Sequence, residues 1–215
     1  MQGSSGPGGM PEASSRTDSR TGRTEGNVSE TNMPAAELLF GPDDSTPIST
    51  DQDSIKPWAQ ALESFAAAPK YWLATARPNG RPHVMPVLAV CLRESLYVST
   101  RPTSRKGKNL AHEAHCVLTV STDAVDLVVE CTATEVTDDA HLRRAADAFA
   151  AKYQWRLTVR DGHAHEDGLP GSPIYGLFDL TPDLAFGFGP DGLTATRWRF
   201  PDPLGDLDRS SKGRS

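Results

Sequence analysis

Residues 71–100 read YWLATARPNGRPHVMPVLAVCLRESLYVST, and their pattern decides the fold. Residues 71–77 (YWLATAR) are of the kind that suits a pleated, half-buried surface. Pro78, Asn79 and Gly80 then signal a turn. Residues 82–92 (PHVMPVLAVCL) read as a second strand. Pro86 within it cannot donate a ladder hydrogen bond, so an edge, a bulge or a break in pairing is expected there. Arg93 and Glu94 turn the chain into residues 95–100 (SLYVST). Three strands joined by short turns predict an antiparallel meander.

The pattern changes on either side. Upstream, Trp58, Leu62 and Phe65 recur at helical spacing, with Pro57 in the first turn and Pro69 beyond the end. Downstream, a basic stretch leads into a short helix starting at Ser104. Residues 115–121 and 125–136 read as two more strands. Thr137 or Asp138 caps a helix whose stripe is Leu142, Ala146, Phe149 and Tyr153. Residues 154–173 are a polar connection, either a lid or a plain loop. Residues 174–180, 184–188 and 193–200 close the chain, with Asp191-Gly192 as a hairpin signal. Seven or eight short strands with two or three helices, and no βαβ alternation, predict a mainly β protein: an antiparallel barrel with flanking helices.

The apolar share is 37% of 215 residues, which is low for a fully packed chain. The deficit lies in residues 1–53, rich in Ser, Thr, Gly, Pro and Asp, so a disordered tail is expected there. Its one apolar island, residues 35–40 (AAELLF), is expected to be unstructured too. Residues 54–200 are expected to form the barrel domain and residues 201–215 a flexible tail. No run approaches a membrane span and no signal peptide opens the chain, so a soluble cytoplasmic protein is expected. Cys91, Cys116 and Cys131 are odd in number and widely spaced, and are read as reduced thiols. A net charge of −6 argues against general nucleic-acid binding. Sixteen Arg against six Lys, with abundant Ala, suggests a GC-rich genome.

Residues 99–110, STRPTSRKGKNL, carry the chemistry. Arg101, Arg105, Lys106 and Lys108 surround Ser104 at a predicted helix start. A first turn offers open backbone N–H groups and a partial positive charge, so it favours anions. A hydroxyl, a guanidinium and an ammonium there would complete a phosphate cradle. A solvated basic helix start is the alternative.

These blocks, in the order ATARPNGRPHVMPV, LYVSTRPTSRKGKNL, CVLTV, DLVVECTATEV and TRWRF, resemble the pyridoxamine 5′-phosphate oxidase-like proteins. The resemblance implies an antiparallel split β-barrel, a homodimer, and F420 or FMN at the dimer interface. It places Ser104, Arg105 and Lys106 at the phosphate, with Lys108 and Asn109 in the same run. Ser99 and Thr100 would line the site, Met85, Pro86 and Val87 would meet the ring edge, His83 would sit on the cofactor wall, and Trp198 would pack near the ring. Pyridoxamine phosphate oxidases carry Arg where Met85 stands and Lys where Val90 stands. Both cations are missing, so that activity is not expected. A Lys-x-x-Asn-Leu run and the GC-rich signature lean towards F420 over FMN.

The resemblance therefore implies an oxidoreductase moving a hydride to or from a small organic molecule, with no side chain assigned as a base. The alternative is a non-catalytic carrier for flavin, F420, haem or a tetrapyrrole. No metal site is expected. His112 and His115 stand three apart rather than the four of a zinc helix motif, and His163, His165, Glu166 and Asp167 lie in a polar loop without a second cluster.

Overall fold

The computed structural model describes residues 33–39, 52–93, 95–191 and 194–201. Every described residue lies within residues 32–215. In chain order the elements are β1 (Ala35–Leu38), α1 (Trp58–Ala67), β2 (Tyr71–Ala76), β3 (Pro82–Val87), β4 (Ala89–Leu92), β5 (Ser95–Thr100), α2 (Arg105–His112), β6 (His115–Ser121), β7 (Asp126–Glu135), α3 (Asp139–Tyr153), β8 (Thr158–Arg160), β9 (His163–His165), β10 (Ile174–Phe188) and β11 (Ala195–Arg199). One 3₁₀ turn, Gln52–Ser54, precedes α1.

Strand pairing closes a ring. β2 pairs β3, β4 pairs β5, β5 pairs β10, β10 pairs β7, β7 pairs β6, and β6 returns to β2, all antiparallel. β3 and β4 are one strand interrupted at Leu88, so two halves of the same segment join opposite sides of the barrel. The expected break in pairing falls here, two residues after Pro86. β10 is the hub: β7 runs along one side of Phe178–Phe188, β5 pairs Gly176–Leu180 and β11 pairs Leu184–Phe188 on the other side, and β9 pairs Ile174 and Tyr175. This is the split β-barrel.

The interior follows from the period-2 alternation. β2 buries Tyr71, Leu73 and Thr75, while Trp72 remains 45% exposed. Leu96, Val98, Leu118, Val129 and Leu180 fill the barrel, and α1 packs Trp58, Ala61 and Phe65 against the same core. A second cluster lies outside the ring, where α3 packs Leu142, Ala146 and Phe149 on Val90, Tyr97 and Leu177. β5 is therefore buried on both faces, which explains its nearly continuous apolar run. Asp138 caps α3 by accepting the His141 N–H at 2.8 Å. Cys116 and Cys131 face each other across the β6–β7 ladder, and burial pushes the Cys116 thiol up to about 12.

Three expectations need correction. Residues 35–38 form β1, paired to β11, instead of an unstructured stretch; Glu37 accepts from Arg197 at 2.7 Å and Arg199 at 2.6 Å, so its partners lie about 160 residues away. Residues 1–32 and 40–51 lie outside the described residues, as do residues 202–215. The polar stretch 154–173 is more than a loop, because β8 and β9 form a hairpin that joins β10. Residues 174–188 are one strand bent at an irregularity between Pro182 and Leu184, not two strands. The turn at Asp191-Gly192 is described only up to Asp191, which caps the chain's return by accepting the Thr194 N–H at 3.0 Å. Among the described residues no helix is long and apolar enough to cross a membrane.

Lys152 makes the fold sensitive to alkaline pH. Its half-buried ammonium donates to the Tyr71 hydroxyl at 2.5 Å, lies over the Tyr71 and Tyr153 rings, and is pulled by burial from 10.5 to about 8. Between those two values the unfolded chain holds a proton that the folded chain has lost. Stability from this group therefore rises with pH through that window. Lys152→Met is expected to abolish the rise. Urea melts of both proteins at pH 7.5 and 9.5 check this, and equal pH slopes would refute it.

Candidate functional site

The site begins where β5 ends. Thr100 is followed by a tight turn, residues 101–104, that delivers the chain into α2. Ser104 caps the helix, its Oγ accepting the Gly107 N–H at 3.1 Å and lying 2.9 Å from Thr100 Oγ1. The cap uses Gly107, so the N–H groups of Arg105 and Lys106 stay open at the helix start. Gly107 is needed for the close approach: a Cβ there would meet the Arg101 carbonyl oxygen at 2.4 Å and Pro102 Cα at 3.0 Å. Lys106 leans back over the barrel and donates from Nζ to the Pro86 carbonyl at 3.2 Å. Burial lowers its pKa.

A groove with a volume of ≈ 680 Å³ opens beside this turn. Pro86, Val87, Ser99, Thr100, Arg101, Ser104 and Lys106 all line it, so the structure brings together seven residues singled out from the sequence. Ser99 is 7% exposed, and its buried Oγ has no hydrogen-bond partner. A buried hydroxyl without a partner costs about 1–3 kcal/mol. A ligand acceptor in the groove would relieve that cost, and an unpartnered hydroxyl, a helix start and an ammonium together suit a phosphate ester.

The opposite wall was not legible in advance. Trp155, Glu166 and Leu169 reach the groove from the segment between α3 and β10, Tyr175 reaches it from the start of β10, and Pro69, Lys70 and Leu88 also line it. Arg101 turns away from the phosphate end and donates from Nε and Nη2 to the Tyr175 hydroxyl at 3.2 and 3.0 Å. The Tyr175 hydroxyl in turn donates a hydrogen bond to Glu166 Oε2 at 2.8 Å, and its ring meets the Trp155 ring edge-on at 4.8 Å. Two contacts fix the segment behind them: Arg160 forks onto Asp167 at 2.9 and 3.0 Å, and Asp167 accepts from Ser172. Of these residues, Arg101 alone stood in a stretch whose chemistry pointed to a site.

Other expected site residues lie elsewhere. Met85 is 44% exposed on β3, outside the groove lining. Arg105 and Lys108 are exposed on α2 and do not line it either. Asn109 corrects its expected role: at 1% exposure it lies on the buried face of α2, donating from Nδ2 to Thr75 Oγ1 at 2.9 Å, and braces the helix against β2. Trp198 is a second correction. It is 1% exposed, donates to the Lys56 carbonyl at 2.8 Å and packs edge-on against Trp58. It borders a separate cavity of ≈ 240 Å³ with Gln60 and Ser64. Val90, where related oxidases carry a cation, is buried under α3. His83 sits beside α2, outside the groove lining, with burial and then Arg77, Arg105 and Lys106 holding its pKa down. Among the described residues no group of three or more His, Cys, Asp or Glu is placed to hold a metal.

The family model described as Pyridoxamine 5′-phosphate oxidase matches residues 58–183, more than half of the chain. No curated protein matches it. Among solved structures it is similar to the conserved hypothetical protein Rv2991 from Mycobacterium tuberculosis, with 15% identity, 67% of this chain and 92% of that one covered, and a TM-score of 0.53. A NimC/NimA family protein from Clostridium acetobutylicum is similar at 14% identity, covering 65% and 91%, with a TM-score of 0.50. Campylobacter jejuni ChuZ is similar at 13% identity, covering 65% of this chain and 58% of that one, with a TM-score of 0.51. At these identities the likeness is one of fold.

Proposed function

Because the chain belongs to the pyridoxamine 5′-phosphate oxidase family, we propose that it holds F420 or FMN in the groove and acts as an oxidoreductase on a small organic molecule. The observation that carries this reading is the groove itself: Ser99, with its unpartnered buried hydroxyl, shares it with Ser104, Lys106 and the open end of α2. Ser104 and Lys106 would hold the phosphate, and Pro86 and Val87 the edge of the ring system. A bound flavin or deazaflavin supplies the hydride chemistry from its own ring. The chain's part is to fix that ring and shape the acceptor's space, which Trp155, Leu169 and Tyr175 wall with aromatic and apolar surface. F420 is preferred, because neither Met85 nor Val90 offers a cation to a flavin.

The protein is proposed to work as a homodimer. Trp72 and Pro86 are directly paired, as are Ala74 and Val84, so they share one outer face of the barrel. Trp72 and Val84 are 45% and 52% exposed. This apolar face meets the groove at Pro86, and a second copy is its proposed occupant.

Titration with F420 and FMN, followed by Trp fluorescence and by molecular mass in solution, tests the reading. Micromolar or tighter binding to a particle of twice the 23.2 kDa chain mass is expected. Binding of neither cofactor would refute it. Binding without any change of redox state across a panel of acceptors would favour the carrier.

A further inference from the structure

We propose that the cavity of ≈ 240 Å³ beside Trp198 is a binding site for a small aromatic carboxylate, with the ring against the indole and the acid group towards Lys56 and Thr196. The site is independent of the cofactor reading. The groove and this cavity share no lining residue, and Tyr175 and Gly187, which border one each, stand near opposite ends of β10.

Three parts of the chain enclose it: α1 with the residues just before it, the turn into β7, and the β10–β11 pair. The floor is apolar. A Cβ on Gly187 would stand 2.5 Å from Trp198 Cη2 and 3.3 Å from Val125 Cγ2, so the indole edge and the valine methyl border one space. Ala61, buried on α1, continues that surface. The volume corresponds to on the order of eight waters at roughly 30 Å³ each. It falls below the roughly 300 Å³ at which sites for drug-sized ligands begin. A single ring with one small substituent suits a space of this size.

The polar groups decide which substituent. The acceptors are already engaged. Trp198 Nε1 donates to the Lys56 carbonyl at 2.8 Å, and Ser64 Oγ donates to the Gln60 carbonyl at 3.3 Å. The Thr194 N–H and Oγ1 donate to the two Asp191 carboxylate oxygens at 3.0 and 2.9 Å. The donors are not engaged. Thr196, 1% exposed, accepts the Lys56 N–H at 3.1 Å, but among the described residues nothing accepts its own hydroxyl proton. The Gln60 side-chain amide and the Lys56 ammonium likewise have no partner among the described residues. A buried donor without an acceptor is costly, and a ligand acceptor would remove that cost. Lys56 is also the one Lys or Arg among the described lining residues, so a carboxylate matches the site better than a hydroxyl or an amine.

The experiment is a titration of the full chain with benzoate, followed by calorimetry and by the NMR signal of the Trp198 indole N–H. One benzoate per chain with a sub-millimolar Kd is expected, and the indole signal should move in step. Benzyl alcohol, which keeps the ring and lacks the charge, should bind about tenfold more weakly, and Lys56→Gln should weaken benzoate about tenfold. Ala124→Leu, at an exposed lining position, should fill the cavity and abolish binding without disturbing the core. Lys106→Gln, in the groove, should leave benzoate binding unchanged. Absence of saturable binding, equal binding of benzyl alcohol, or binding lost in Lys106→Gln but kept in Ala124→Leu would each overturn the proposal. FMN and F420 titrations with and without saturating benzoate separate the two readings: cofactor binding without benzoate binding sinks the cavity site alone, and benzoate binding without cofactor binding sinks the groove reading alone.

Discussion

Replacing Lys106 with glutamine is expected to weaken FMN or F420 binding about 10- to 100-fold while leaving the thermal midpoint within a few degrees. The half-buried ammonium reaches the groove beside Ser104, and a hydrogen bond to a charged group contributes about 1.5–3 kcal/mol. That range corresponds to roughly one to two powers of ten in affinity. Its other contact, to the Pro86 carbonyl, is a single bond that glutamine can approach, so the helix should keep its place. Fluorescence titration reads the affinity and circular dichroism the melting. Unchanged affinity would remove Lys106 from the phosphate site and move that site along the groove.

Trp198→Ala is expected to do the reverse. The side chain fills the contact between α1 and the β10–β11 pair, lying edge-on to Trp58 at 5.5 Å, and its N–H satisfies the Lys56 carbonyl. Gly187 has no side chain because the Trp198 ring would stand 2.5 Å from a Cβ there. Truncating a buried aromatic of this kind costs about 3–5 kcal/mol. The loss includes an unpaired carbonyl in addition to the void. Cofactor affinity measured on the remaining folded protein should stay within about twofold, because Trp198 shares no lining with the groove. A large fall in affinity with full stability would return Trp198 to the site.

These two residues show what the sequence could and could not disclose. Lys106 was legible because its neighbours set a local chemistry: a capping serine, a glycine and successive cations fix a helix start whatever the rest of the chain does. Trp198 was misread because its environment is decided by a partner 140 residues away, α1, which local pattern does not reveal. The same reason hid β1, whose short apolar run gains meaning only beside β11, and Glu37, which needs Arg197 and Arg199 across that ladder. Barrel strands were readable from alternation. The wall of Trp155, Glu166 and Tyr175 was not, since a polar segment folds back on the groove through contacts such as Arg160 with Asp167 that carry no period.

The hub position of β10 has a consequence for biosynthesis. The ring cannot close before Ile174–Phe188 exists, and that strand is made after every other strand of the ring. A nascent chain still on the ribosome has made β5 and β7 but holds no strand to place between them. Both edges then stay open to other chains, the condition in which unfinished sheets aggregate. Closure is thus a late event with high contact order, so the yield of folded protein depends on the interval between translating β7 and releasing β10.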